Sequence, residues 1–247
     1  MTMKRTFGVE REAFIIDSIG RIVPAIGVLL PKVGQVAKTV NMSSEFFTYE
    51  MFAGQIEDRT RPCSSLEELK AALIINKEVM GKAAHLLNLS LSYAEIVAED
   101  TIVSLEVNPF SERHQQIWRD IPHVRKVAAS VVAAVHVHLS VGEDEIVKLL
   151  NRCTKRVMDG LVDLGDHSGL QRINAYRTMA QIDGVPPTFS SFSELMNYIA
   201  SKGGEKNVWD LVRYKPSTKT VEFRMFGTTS SNSEIIGYVE ACLEVVK

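Results

Sequence analysis

FGVEREAF, running from Phe7 to Phe14, sets two carboxylates two residues apart inside an otherwise apolar, strand-like stretch. Side chains alternate between the faces of a β-strand, so Glu10 and Glu12 share one face and Arg11 takes the other. The same geometry returns in AVHVHLSV (Ala134 to Val141), where His136, His138 and Ser140 line one side, and in TVEFRMF (Thr220 to Phe226), where Glu222 and Arg224 do. Charge inside a sheet is costly unless it is paired or bound to a metal. A single ExE reads as a solvent-facing sheet surface, and HVH alone as satisfied histidines. Three such pairs, each flanked by core-type residues, point instead to one functional face if the strands share a sheet.

Carboxylates from several strands together with an imidazole suit Mg²⁺ or Mn²⁺. Zinc would more commonly recruit thiolates or an HExxH helix, and neither motif is present. Hard cations of this kind usually bridge to substrate phosphates, which suggests nucleotide chemistry. The sequence has no GxxxxGK[ST] and no GxGxxG, so metals, Arg and Lys would have to hold the phosphates. A fourth segment, YEMFAGQIEDRTRPC (Tyr49 to Cys63), adds Glu50, Gln55 and Glu57. Gln55 and Glu57 share a face, whereas Glu50 and Glu57 would oppose each other in an unbroken strand. A bulge at Gly54, or a Glu50 lying just before the regular strand, reconciles them. Asp58, Arg59 and Arg61 read as surface ion pairs, Asp58 most clearly.

The chain has 247 residues, is 45% hydrophobic and 23% charged, and carries a formal net charge of -2. This suffices for one large core and offers no global positive field to nucleic acid or anionic membrane. The longest stretch without Asp, Glu, Lys or Arg, Val127 to Gly142, is too short to span a bilayer. The opening MTMKRTFGVERE meets acidic residues before any apolar run, which argues against a secretory leader. Three scattered cysteines without a CxxC fit reduced thiols in a cytoplasmic protein. No linker or repeat divides the chain, so residues 1–247 are expected to form a single catalytic domain. Helices are expected over Cys63–Asn88, Glu143–Leu164, Ser193–Ala200 and Ser233–Val246. Strands are expected at Thr6–Ile16, Phe46–Ile56, Leu89–Ala98, Val131–Val141, Val208–Leu211 and Thr220–Phe226, with Asn108–Pro122 a surface loop and Pro24–Val40 mixed. Strands and helices without strict βαβ alternation imply α+β with an antiparallel sheet.

Together these segments resemble the carboxylate–amine ligase superfamily that includes glutamine synthetase and glutamate–cysteine ligase. The bacterial and plant-type glutamate–cysteine ligases are the nearest in look, and the amidoligases sharing the HVH and EFR pieces are an alternative. The resemblance runs in order through Phe7–Phe14, Tyr49–Cys63, His136–Val141, Gly184–Glu194 and Val208–Phe226. It implies a glutamine synthetase-like curved antiparallel sheet with helices packed on one face. It also implies an ATP-dependent reaction in which a carboxylate is activated as an acyl phosphate and attacked by an amine. By the same resemblance, Glu10, Glu12, Glu50, Glu57, His136 and Glu222 would bind Mg²⁺ or Mn²⁺. Arg224 and Arg177 would serve the transferring phosphate or substrate, with Arg172 competing for the second role. Arg213, Lys215, His138, Ser140 and Gln55 would lie near the nucleotide. The segments Pro109–Pro122 and Ser217–Thr220 are candidates for a cover over the acyl phosphate. The expected partners are a small carboxylate and a small amine, with a homo-oligomer left open. Relatives commonly run longer by a third or more, and Gly227 stands where they often carry an acid. Two other readings remain at this stage: a phosphotransferase on the related guanidino kinase-like fold, and a non-catalytic nucleotide- or metal-binding module.

Overall fold

Period-two patterning builds the sheet. The computed structural model describes residues 5–247; Met1–Lys4, where the leader argument begins, lie outside them. Among the described residues, seven strands form one sheet: β1 (Phe7–Ile16), β2 (Phe47–Tyr49), β3 (Gln55–Arg59), β4 (Ser90–Ser92), β5 (Ala134–Ser140), β6 (Val212–Lys215) and β7 (Thr220–Gly227). Their order is β2-β3-β1-β5-β7-β6, with β4 paired to the end of β1. All these pairings are antiparallel.

The helices are α1 (Ile26–Thr39), α2 (Leu66–His85), α3 (Glu112–Asp120), α4 (His123–Ser130), α5 (Ile146–Arg152), α6 (Lys155–Gly165), α7 (Gln171–Ala180), α8 (Phe192–Ser201) and α9 (Asn232–Val245). Alternate residues of the strands bury against them on one face. Val135, Val137 and Phe223 share a core with Leu161 of α6 and Ile235 and Val239 of α9. Ala13 and Ile56 share another with Leu29 and Val33 of α1 and Met80 of α2. The second helix starts where its capping signal stands: Ser65 accepts from the Glu68 N–H, and the Glu68 carboxylate accepts from the Ser64 N–H.

Several segments differ from the sequence reading, among them the strands expected at Val208–Leu211 and Leu89–Ala98, which form at Val212–Lys215 and only over Ser90–Ser92. Residues 26–39 are helical despite Pro31, because Ile26, Leu29, Val33, Val36 and Ala37 recur at helical spacing and are all buried. The presumed loop 108–122 contains α3, capped by Ser111 and anchored by Trp118 in a small core with Phe14 and Phe52. The expected long helix over 143–164 is two helices, parted at Cys153 and Thr154. The expected strand over 46–56 is a hairpin, with Met51–Gly54 as its turn. A Cβ at Gly54 would run into the Phe52 ring and Ile22, so this corner admits only glycine without repacking.

Asp58 is not a surface ion-pair residue. It is 1% exposed and faces the helices, because register opposite Arg11 puts both on the side away from Glu10 and Glu12. Arg11 donates to Asp58 at 2.9 and 3.2 Å and to the Leu73 carbonyl at 3.1 Å, while Asn76 donates to Asp58 at 3.0 Å. Replacing Arg11 by Met should cost about 3–5 kcal/mol, because the Asp58 carboxylate would stay buried with only Asn76 beside it. Urea unfolding checks this, with an unchanged midpoint as the contrary result.

Candidate active site

Cross-strand register gathers the polar alternates into a band across the other face. Glu10 stands opposite His136, Glu12 opposite Glu57, and Glu222 between His138 and Arg213. Directly opposed side chains on one sheet face meet at close range. His136 Nδ1 lies 3.4 Å from Glu10 and 3.8 Å from Glu222, and its Nε2 lies 3.7 Å from Glu12. Two groups of metal-competent atoms result, Glu10–His136–Glu222 and Glu12–Glu57–His136, each with its atoms within 4.8 Å of one another.

A break in the ladder aims Arg224. Val135 pairs with Phe226 and Val137 with Phe223, so Arg224 and Met225 together oppose His136. This two-against-one count is a β-bulge. It leaves Arg224 on the site face, bonded to Glu222 and, at 3.2 Å, to the Tyr176 hydroxyl of α7.

Charge is unevenly distributed along the band. Burial opposes ionisation of Glu222, but Arg213 and Arg224 outweigh it and hold the carboxyl well below its ordinary range. Glu10 is likewise held low against its burial by His138, His136 and Lys215. In the other group, cationic neighbours do not outweigh burial and mutual repulsion. Burial and the facing Glu57 push Glu12 up to about 8, and burial and Glu12 push Glu50 up to about 7. Burial, Glu10 and Glu50 raise Glu57 well above the carboxylate norm even though Arg59 lies 2.5 Å away. Burial and Arg224 depress His136 to about 4, so the imidazole is neutral at pH 7 and free to act as a ligand. Clustered, mutually repelling oxygen donors beside a neutral imidazole fit a hard divalent cation.

The cluster predicts a pH dependence for the metal-free chain. A folded-state pKa raised above its unfolded value means that the folded form binds more protons between the two values, so stability falls as pH rises through that window. Between pH 6.5 and 8 the metal-free melting temperature should therefore fall, through Glu12 throughout and Glu50 up to about 7, with the raised Glu57 acting in the same direction. Saturating Mg²⁺ or Mn²⁺ should flatten or reverse that slope. A metal-free curve flat over this range would contradict the assigned environment, and calorimetry with and without EDTA decides.

Three connected chambers cover the band. The inner one, of about 90 Å³, is lined by Glu12, Glu50, Gln55, Arg172, Tyr176 and Arg224 among others. The middle one, of about 400 Å³, meets it at Glu50, Arg113, His114, His136, Trp209 and Arg224 and carries Arg59, Arg213 and Lys215. The third, of about 270 Å³, continues past Glu10 and Lys215 to Phe7–Val9, His138, Ser140 and the 218–220 turn.

All six candidate metal ligands reach this face. Glu50 does so from just beyond β2, its carboxyl meeting that of Glu57. Arg213 is committed to Glu222 at 2.6 Å, whereas Lys215 stands 3.9 Å from Glu10 and from Glu222. Gln55 spends its amide on the Val132 carbonyl, and the Ser140 hydroxyl accepts from the Thr6 N–H. Arg177 lines none of these three chambers. It sits five residues beyond Arg172 on α7, about 140° around the helix, and lies near Gly184. Arg172 and Tyr176, one turn apart, are the pair that faces the inner chamber. Sequence reading also missed Arg113, His114 and Trp209, which arrive through tertiary packing. Arg59, read from the sequence as a surface ion pair, also lines the middle chamber; alternation could have placed it there, since it continues the Gln55–Glu57 face by another two residues.

The α+β fold is glutamine synthetase-like, and the chain is similar in sequence to proteins named as putative glutamate–cysteine ligases. Among sequence relatives, proteins named "Putative glutamate--cysteine ligase 2" from Rhodopirellula baltica and Roseiflexus sp. (strain RS-1) are 27% and 23% identical, over 95% and 94% of this chain. The chain spans 66% and 63% of their lengths. No family model matches it. A bifunctional glutathione synthetase from Pasteurella multocida superposes with a TM-score of 0.63 at 14% identity, over 98% of this chain and 39% of that one. A glutamate–cysteine ligase from Francisella tularensis, solved in complex with AMP, gives 0.53 at 11% identity, over 98% and 66% of the two chains. Plasmodium falciparum glutamine synthetase gives 0.52 at 12% identity, over 98% and 51%. The three structural likenesses speak for the fold alone. No helix among the described residues is long and apolar enough to cross a membrane.

Proposed function

We propose that the chain is an ATP-dependent carbon–nitrogen ligase of the glutamate–cysteine ligase type, joining a small carboxylic acid to a small amine. The observation that carries this reading is the pair of acidic groups sharing His136, set on one face beside Arg213, Lys215 and Arg224. In the metal-free chain Glu12, Glu50 and Glu57 hold protons well above the ordinary carboxylate range despite Arg59 beside Glu57, as donors short of a cation would.

Glu10, His136 and Glu222 would hold one divalent ion, and Glu12 and Glu57, with Glu50 adjoining, would hold another, since a neutral imidazole has one lone-pair nitrogen to give. Bound there, Mg²⁺ or Mn²⁺ would neutralise phosphate oxygens during phosphoryl transfer. The third chamber offers Pro62 and the backbone at Gly8 to a nucleotide base, with Lys215 at its inner edge toward the phosphates. In the first half-reaction a substrate carboxylate oxygen attacks the γ-phosphorus of ATP and ADP departs. Arg224, held by Glu222 and Tyr176, would meet the transferring phosphoryl group. In the second, the amine nitrogen attacks the acyl carbon, loses a proton and expels phosphate. Helix α3 walls the chambers through Arg113, whose guanidinium donates to the Lys206 carbonyl and the Asn207 side chain across the opening. That bridge would keep water from the acyl phosphate.

The test is product analysis over a matrix of acids and amines, glutamate and cysteine included, with Mg²⁺ and ATP. ADP and phosphate should appear only where both an acid and an amine are supplied, together with the amide. Phosphate release with no acid requirement, or phosphate left on a nitrogen of the acceptor, would overturn the reading.

A further inference from the structure

Asn108 and His114 form a unit that the reaction as described above leaves unused. The Asn108 amide has a single orientation: its Oδ1 accepts from the Phe110 and Ser111 N–H groups at 3.0 Å each, while its Nδ2 donates to the Glu50 carbonyl at 2.7 Å. The same Nδ2 lies 2.8 Å from His114 Nδ1. An amide nitrogen only donates, so Nδ1 must be the accepting nitrogen and Nε2 must carry the proton. Tyr49 packs edge-on to the ring at 6.0 Å, and the His114 N–H is itself fixed by the Ser111 hydroxyl. Ring position and tautomer are therefore both set before any ligand arrives. Nε2 makes no hydrogen bond among the described residues, and the side chain lines the junction of the inner and middle chambers next to Arg113.

We infer that His114 is a substrate-binding residue whose Nε2–H donates to a carboxylate oxygen of the acid substrate, with Asn108 as the positioning residue that fixes the tautomer. This rests on the ligase reading only in calling the carboxylate a substrate. The ligand class follows from the donor character: a neutral imidazole locked as an N–H donor beside a guanidinium recognises an oxygen anion and cannot accept a proton at Nε2. His114 is thus assigned to recognition, not to deprotonating the amine. It also ties recognition to the candidate metal site, because Asn108 holds the backbone of Glu50 with the same amide group.

The test is imidazole ¹⁵N–¹H NMR of the full chain, with His114 resonances assigned from His114→Gln. The wild type should show a neutral Nε2–H tautomer, and Asn108→Asp, which replaces the donor with an acceptor, should move the proton to Nδ1 or give the imidazolium. Adding L-glutamate, then acetate, succinate and L-aspartate as further carboxylate probes in the presence of Mg²⁺ and ADP, should shift the Nε2 proton downfield for at least one. For that probe His114→Ala should weaken binding by about tenfold or more, and His114→Gln, which keeps an N–H donor, should restore part of it. A wild-type Nδ1–H tautomer, no response to any carboxylate, or equal affinity in His114→Ala overturns the inference. A carboxylate response in a chain that never releases ADP would sustain it while sinking the ligase proposal.

Discussion

Glu12→Gln is expected to raise the melting temperature of the metal-free protein and at the same time to lower metal-dependent ligation by about a thousandfold or more. The two effects share one cause. Glu12 is buried opposite Glu57, and its nearest positively chargeable neighbour, His136, is itself held neutral. At pH 7 a carboxyl raised to about 8 from 4.5 costs the fold on the order of 2–3 kcal/mol, which a neutral amide does not. In a chain of this size that is worth about 5–10 °C. The Ala134 N–H that now bonds to Glu12 at 2.8 Å can be kept by the glutamine oxygen. What glutamine cannot supply is an anionic metal ligand, and a lost charge-stabilising group at the reacting centre typically costs orders of magnitude in rate. Calorimetry and phosphate release on the same preparation test both halves. A variant less stable than wild type in EDTA would contradict the repulsion argument.

Glu222→Gln should lose activity to a similar extent with the opposite effect on stability. A ligand on an open sheet face would carry little packing, and truncation there would leave the fold largely intact. The structure alters that expectation, because Glu222 is 0% exposed and joins Arg213 to Arg224. Without its charge, two guanidinium groups confront each other in a buried site, a loss of about 3–5 kcal/mol by analogy with other broken buried pairs. The melting temperature should fall by about 10 °C or more in EDTA. Raising the salt concentration should recover little of the loss, since buried charges are weakly screened. An unchanged melting temperature would show that the two arginines find other partners.

The two substitutions therefore separate the acidic groups by physical role, although both contain carboxylates at strand alternates. One is over-supplied with negative charge, and the other is already balanced by arginine. If both groups bind divalent ions as proposed, removing the metal should relax mainly the Glu12–Glu50–Glu57 side.

What could be read from the sequence followed from locality. Alternation along a single strand is a short-range property, and it placed Glu10 with Glu12, His136 with His138 and Glu222 with Arg224 on common faces, as the register bears out. The antiparallel α+β sheet followed instead from the order of elements, strands and helices without strict βαβ alternation. Asp58 failed because its face depends on pairing with Arg11 in a neighbouring strand, and its charge made exposure the default. The choice between Arg172 and Arg177 was open for want of a helix phase, since residues 171–180 show little apolar periodicity; the structure sets Arg172, not Arg177, against the inner chamber. His114 was hidden by its surroundings, a run of polar residues whose only helical signals are the Ser111 cap and the apolar trio Ile117, Trp118 and Ile121.

The central claim, that acidic side chains from separate strands converge to hold divalent ions beneath a nucleotide, is tested most directly by anomalous diffraction from crystals grown with Mn²⁺ and a non-hydrolysable ATP analogue. The account predicts manganese peaks within bonding distance of Glu12 and Glu57 and of Glu10, His136 and Glu222, with the analogue's terminal phosphate between those peaks and Arg224. Ordered nucleotide without manganese at either group, or manganese bound only at surface carboxylates, would contradict it.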